Sequence, residues 1–302
     1  MYTFHLLIGI FFMVSLFSLL FTSLFTSLYN SNFRKTTICY DYLITFIQYV
    51  SPDNYYMNYG LWNTANTMEL ANINLCSFIF NIAKLSKNHT ILDIGCGYGS
   101  QDFLLDSLVT TSTITAVDLS TKQVDFANEK AKKISTINNI TFTQADAHTL
   151  TSKFQTKFDR IFSIESAFHY NDRPLFFNQV QQLLSNDGIF VISDIMLHDN
   201  YVETYSSNFF LKLASDFMCI PTHNFIKYSV WKKQVEENLE IVQIYDISAD
   251  VFNPYYSYFL KIYIKQKRLP EWVANILIWY AHTVQPFSYI VASCKNKLNC
   301  IS

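Results

Sequence analysis

Apolar positions along this chain change their spacing in a regular order. From Thr90 onward, short runs rich in β-branched and aromatic side chains alternate with longer stretches whose apolar residues recur at helical intervals. The runs at 90–94, 113–117, 140–144, 158–163 and 189–193 predict strands. Between them, 101–109, 121–135 and 172–184 predict helices. Lys and Glu interleave on the open face of the second, and Asn186-Asp187-Gly188 stops the third. Ahead of the first strand, Met68, Ile73, Leu75, Ile79, Ile82 and Leu85 form the apolar stripe of a helix over 67–85. Later stretches at 200–235 and 252–282 read as aromatic helices, with strands at 239–246 and 287–293. Strands joined by helices at this spacing predict an α/β fold, a doubly wound, mostly parallel sheet covered on both faces.

The first part of the chain has a different pattern. Residues 1–33 carry no acidic or strongly basic side chain, and 6–29 are almost entirely apolar, broken only by Ser and Thr. That length matches a hydrocarbon core of about 30 Å and predicts an N-terminal transmembrane helix. A cleaved signal peptide would bring a charged start and a small-residue cleavage site, and neither is present. Arg34 and Lys35 follow the run and no Lys or Arg precedes it. The expected topology is a single-pass membrane protein whose larger part faces the cytoplasm. The uncharged stretch 279–292 is interrupted by Pro286 and reads as a closing strand, not a second crossing.

Composition narrows the partners. Charged residues make up 15% of the chain, against about 25% in ordinary soluble domains. The net charge is -2 and no basic block stands out, so nucleic acid is not an expected partner. None of the six cysteines stand at C-x-x-C spacing and no other ligand cluster appears, so no metal site is expected and the thiols read as free.

The chemistry gathers where the predicted strands end. Asp93-Ile94-Gly95-Cys96-Gly97-Tyr98-Gly99 leaves the first strand and opens a helix. Its glycines let the backbone turn sharply and approach a ligand closely. Asp118 ends the second strand, where a carboxylate can accept two ribose hydroxyls. Asp146 and Ala147 follow the third strand, an acid for an adenine amino group and a small wall for its ring. Asp93 is placed to order the loop or to hold a cationic amino-acid portion. A dinucleotide site would show G-x-G-x-x-G, whereas this chain has G-x-G-x-G followed by Ser100 and Gln101, so a nucleoside cofactor without a pyrophosphate fits better.

These stretches carry a resemblance. Residues 91–99 look like motif I of the class I S-adenosylmethionine-dependent methyltransferases. Residues 116–120 resemble their acidic second motif, Gln144-Ala145-Asp146-Ala147 their adenine motif, and 184–188 their L-x-P-G-G turn, with Asn186 and Asp187 in place of Pro and Gly. The resemblance implies a seven-stranded Rossmann-like sheet with its last strand antiparallel between the fifth and sixth. It implies S-adenosyl-L-methionine as cofactor, held by Asp93, Gly95, Cys96, Gly97, Gly99, Asp118, Leu119, Asp146 and Ala147. Residues 165–173 are similar to the E-S-x-x-H-x-x-D-R pattern of tocopherol, sterol and sugar O-methyltransferase relatives. In the sugar-modifying members a His matching His169 and an Asp matching Asp194 are linked to base catalysis, whereas the sterol and tocopherol enzymes methylate carbon; His169 otherwise lines the pocket, Asp194 partners it or meets the substrate, and Glu165 is structural or supports the cofactor. Residues 55–62 resemble the lid of the same group, with Tyr55 and Tyr59 over the cofactor. The expected organisation is an anchor over 1–35, linker and lid over 36–85 and a methyltransferase domain over 86–302. The expected acceptor is small and lipophilic, methylated on oxygen or carbon. A protein or peptide methyltransferase, or a cofactor-binding membrane scaffold without catalysis, are the alternatives.

Overall fold

The computed structural model describes residues 51–109, 112–134, 136, 139–202, 220–265 and 286–297, together with Ile44, Ile47 and Gln48. Its centre is a seven-stranded sheet: β1 (Thr90–Ile94), β2 (Thr113–Asp118), β3 (Asn139–Gln144), β4 (Phe158–Ile164), β5 (Leu184–Leu197), β6 (Leu239–Asp246) and β7 (Phe287–Asn296). The spatial order is β3-β2-β1-β4-β5-β7-β6. The first five strands pair in parallel, and β7 runs antiparallel to both β5 and β6, as the resemblance implied.

The helices are α1 (Met68–Ile82), α2 (Ser100–Leu108), α3 (Thr121–Lys133), the single turn α4 (Leu150–Lys153), α5 (Arg173–Leu183), α6 (Tyr228–Glu236) and α7 (Ser248–Lys265). Local chemistry starts three of them. The side chains of Thr67, Ser120 and Asp172 accept from Leu70, Gln123 and Leu175 N–H, and Pro174 opens α5. Arg160, inside β4, stops α1: its guanidinium donates to the carbonyls of Ala83 (2.5 Å) and Lys84 (3.1 Å).

Strand alternation sends side chains to two separate cores. Ile91, Phe162, Val191 and Tyr289 pack with Leu75, Ile79, Leu105 and Phe252, from α1, α2 and α7. Leu92, Ile161, Ile192 and Ile290 pack with Phe176, Val180, Trp231 and Val235, from α5 and α6. This two-sided burial explains why the strands read as nearly continuous apolar runs.

Three expectations change. The turn at 184–188 is a bulge within a longer β5: Leu184 pairs with Phe158 and Ile189 with Arg160, so four residues loop out between the pairs. Of the helices expected over 200–235 and 252–282, the described parts are a 3-10 turn at Thr222–Asn224, α6 and α7. The remainder lies outside the described residues. The membrane anchor is also corrected. No helix among the described residues is long and apolar enough to cross a membrane, and the run at 6–29 lies outside them. The transmembrane helix, the membrane partner and the single-pass, cytoplasm-facing topology are therefore set aside. In this chain apolar runs are no proof of a span, because shorter ones such as 189–193 are taken up by the sheet and its two cores.

Candidate active site

The strand order reverses between β1 and β4, and in open α/β sheets ligands sit beyond the carboxyl ends of the strands at such a point. The glycine loop leaves β1 there. Gly95, Gly97 and Gly99 all have positive φ, at 84°, 58° and 76°. A Cβ on Gly95 would stand 2.4 Å from the Ser166 Cβ, so close passage under the first turn after β4 requires glycine. At Gly97 a Cβ would meet only the Met57 Cγ, at 3.7 Å, so the chain leaves room above this position.

The loop's own amides are spent internally. Gly95 and Cys96 donate to the Val117 carbonyl at 2.8 and 3.1 Å, and Gly99 to the Cys96 carbonyl at 3.0 Å. Gly97 donates to Asp118 Oδ2 at 3.0 Å. The other Asp118 oxygen accepts from Ser120 N–H at 2.9 Å. Asp118 thus clamps the loop to β2, and each oxygen keeps a further lone pair for a ligand hydroxyl. Burial raises its carboxyl above the ordinary range while these backbone N–H groups pull it back. Leu119 lies beside it, its carbonyl accepting from Gln144 at 3.1 Å, and Ala147 is buried against the second core.

Asp146 is joined by a residue that the sequence reading missed. His148 Nε2 accepts the Asp172 N–H at 3.1 Å, so its proton sits on Nδ1, which donates to Asp146 Oδ1 at 2.7 Å. Asp146 is thereby tied to Asp172, the N-cap of α5. An acid two residues before a histidine was visible in the sequence, but the Asp172 contact lies 24 positions away.

Asp93 is 2% exposed and accepts from Gln101 at 2.5 Å, while its Oδ1 meets no donor among the described residues. An orphaned buried acid, an open space over Gly97 and acids at the ends of β2 and β3 fit a nucleoside carrying a cationic amino-acid tail.

Glu165 follows β4 with φ of 50°, in the left-handed region that an L side chain enters at a cost. Its Oε1 accepts from Tyr59 N–H (2.8 Å) and the Tyr289 hydroxyl (2.6 Å), so it pins the segment 55–62, expected as a lid, to β7. Burial pushes its carboxyl up to about 8. The lid is also held from α1, where Asn72 donates to Asn58 and accepts from Asn54. The structure separates the two lid tyrosines. Tyr55 packs on Phe126 (4.5 Å) and Tyr98 (5.8 Å), on the α3 side of the loop. The Tyr59 ring packs on Tyr255 (4.7 Å) and Phe252 (5.8 Å), in an aromatic wall contributed by α7.

His169 ends a 3-10 turn, Ala167–His169. The carbonyls on either side of it, those of Phe168 and Tyr170, both accept from the Asn224 side chain at 2.9 and 2.7 Å. Asp194 takes a different place from the one expected. β5 runs three residues beyond it, and it alternates with Ile192 and Met196 toward α5 and α6. There it accepts from Arg173 (2.9 Å), Trp231 Nε1 (2.8 Å) and the Ile195 N–H (2.9 Å), at 0% exposure. Arg173 also donates to the Asn224 carbonyl. Asp194 therefore reaches His169 through Arg173 and Asn224, as support for the turn's backbone.

Comparison with known proteins agrees with this geometry. A family described as a methyltransferase domain matches residues 85–244. The erythromycin 3''-O-methyltransferase of Saccharopolyspora erythraea is 30% identical over 213 residues, covering 68% of this chain and 69% of the relative. The (S)-coclaurine N-methyltransferase of Thalictrum flavum subsp. glaucum is 23% identical, over 63% of this chain and 52% of its own length. The fold is similar to a cyclopropane synthase from Mycobacterium tuberculosis, with a TM-score of 0.68, 15% identity and coverage of 88% of this chain and 99% of that one. With its glycine loop, the acids at the ends of its first three strands and a family match over more than half its length, the chain belongs to the class I S-adenosylmethionine-dependent methyltransferases.

Proposed function

We propose that the protein methylates a small, largely apolar organic acceptor on a hydroxyl oxygen, with His169 taking the hydroxyl proton. S-adenosylmethionine, when bound, supplies an electrophilic methyl group. Asp118 and Asp146 hold its ribose and adenine, and Asp93 faces its amino-acid portion. Tyr59, Phe252 and Tyr255 line the acceptor side and keep water from the reacting atoms. A neutral imidazole suits proton abstraction near neutral pH.

The observation that carries this reading is the seating of His169. Its turn follows β4 directly, and one buried amide, that of Asn224, holds the carbonyls on both sides of it. Such double anchoring fixes a side chain in direction, which catalysis by positioning requires. An O-methyltransferase among the relatives supports oxygen as the methylated atom.

The test is incubation with isotopically labelled cofactor and a total lipid plus metabolite extract, with mass analysis of the labelled product. With that acceptor in hand, His169→Asn lowers kcat by about 100-fold or more, while the Kd for S-adenosylhomocysteine stays within about twofold. An unchanged kcat would rule out the proton-accepting role.

A further inference from the structure

Beneath the glycine loop, two carboxyl groups share one buried pocket. Asp93 leaves β1 and Asp102 lies in the first turn of α2, at 2% and 0% exposure. No side-chain N–H or O–H among the described residues reaches either oxygen of Asp102 or the Oδ1 of Asp93; the backbone N–H of Ile94 turns toward Asp93 and that of Asp102 toward its own carboxyl. The two carboxyls lie within hydrogen-bonding reach of each other. Facing them are Tyr56 ahead of α1, Cys76 on α1, Cys96 in the loop, Asp118 on β2 and Tyr170 after β4. None of these is a cation. Two adjoining acids with no cation and one mutual contact cannot both ionise, so they retain a proton between them. The donors decide which acid keeps it. Gln101 supplies an N–H to Asp93 at 2.5 Å, whereas no side-chain N–H or O–H serves Asp102. The anion belongs at the acid that has the donor.

We infer that Asp102 stays protonated and donates its carboxyl proton to Asp93, keeping Asp93 as the anion that receives the α-ammonium of S-adenosylmethionine, an assignment that rests on the cofactor reading above. Asp102 is a positioning residue: it acts through Asp93 and touches no ligand. The loop agrees with a cationic guest, because the N–H groups of Gly95, Cys96, Gly97 and Gly99 are already bonded and it has carbonyls to offer. Burial pushes Asp93 up to about 7, and burial followed by Asp93 itself holds Asp102 well above the carboxylate range. The pair therefore carries two protons in acid and one at neutral pH and above. Docking an ammonium below neutrality expels one proton to solvent.

The probe is S-adenosylhomocysteine, titrated calorimetrically into the full chain between about pH 6 and pH 8.5, in buffers of different ionisation enthalpy. Wild type is expected to release about one proton per ligand at the acid end and almost none at the alkaline end. Asp102→Asn keeps a neutral donor and retains wild-type affinity within about threefold, while Asp102→Ala loses about tenfold or more. Asp93→Asn weakens binding and releases no proton at any pH. Infrared difference spectra supply a readout that does not need the alanine variant to fold. The wild-type minus Asp102→Asn difference at the alkaline end is expected to show the carbonyl stretch of one protonated carboxylic acid, the contribution of Glu165 cancelling between the two. Equal losses in the Asn and Ala variants, proton release persisting in Asp93→Asn, or a missing acid band would each overturn the inference. Absence of S-adenosylhomocysteine binding to wild type at every pH would instead overturn the cofactor reading.

Discussion

Replacing Glu165 with Gln isolates the cost of burying one ionisable group. Glu165 is 7% exposed and among the described residues its side chain meets neutral donors, the Tyr59 N–H and the Tyr289 hydroxyl. Burial raises its carboxyl from an ordinary 4.5 to about 8. Burial and the neighbouring Glu165 hold the Tyr289 phenol above its own ordinary range, so it remains a donor throughout. Between pH 4.5 and 8 the unfolded chain has released the Glu165 proton and the folded chain has kept it, so stability falls as pH rises. Below 4.5 the stabilising term is fully present, and above about 8 it is gone. At about 1.4 kcal/mol per pH unit the ceiling is about 4–5 kcal/mol, and relaxation brings the realised loss to about 2 kcal/mol. Gln retains an oxygen that accepts from both donors and does not titrate. Urea unfolding at pH 5, 7 and 8.5 should show Glu165→Gln equal to wild type at the lowest pH and more stable by about 2 kcal/mol at the highest. A difference that does not change with pH would refute the reasoning.

Arg173→Met leaves the buried Asp194 with only neutral donors, Trp231 Nε1 and the Ile195 N–H, and should cost about 3–5 kcal/mol in the same unfolding assay. Adding Asp194→Leu to that variant should recover much of the loss, because the orphaned charge is removed. Gly95→Ala forces a methyl to within 2.4 Å of Ser166 at a φ of 84°. It should lower stability by about 2 kcal/mol or more and abolish S-adenosylhomocysteine binding measured by calorimetry. Asn224→Ala frees the carbonyls on both sides of His169 and should lower kcat about tenfold, with the Kd for S-adenosylhomocysteine unchanged.

Legibility in the sequence followed the range of the interaction. The strand over 239–246 and the start of the closing strand at 287 coincide with β6 and β7, because an alternating or continuous apolar run is a local property. The glycine loop was legible for the same reason: three residues of positive φ within five positions can be met cheaply only by glycine. Asp93 and Asp118 fall at the carboxyl ends of β1 and β2 and Asp146 just after β3, as expected, since a polar residue closing an apolar run marks the end of a strand. The reading failed where a role depends on which distant group shares a residue's pocket. Asp194 looked like a partner for a histidine, yet the strand's pleat turns it toward Arg173 and Trp231. His148 and Asn224 were passed over because their partners stand 24 and 54 to 56 positions away.

By itself the order of side chains along this chain determined an α/β sheet, its glycine turn and the set of acids available to a nucleoside, because periodicity and backbone freedom act over a few neighbouring residues. Only the tertiary structure decided what each charge meets. Folding gave Asp194 a guanidinium, gave Glu165 two neutral donors at a strained φ, and buried Asp93 beside a second acid. The physical reason is that the energy of a charge depends on the few groups within about 4–6 Å of it, and in a folded sheet those groups come from strands and helices far apart in the chain.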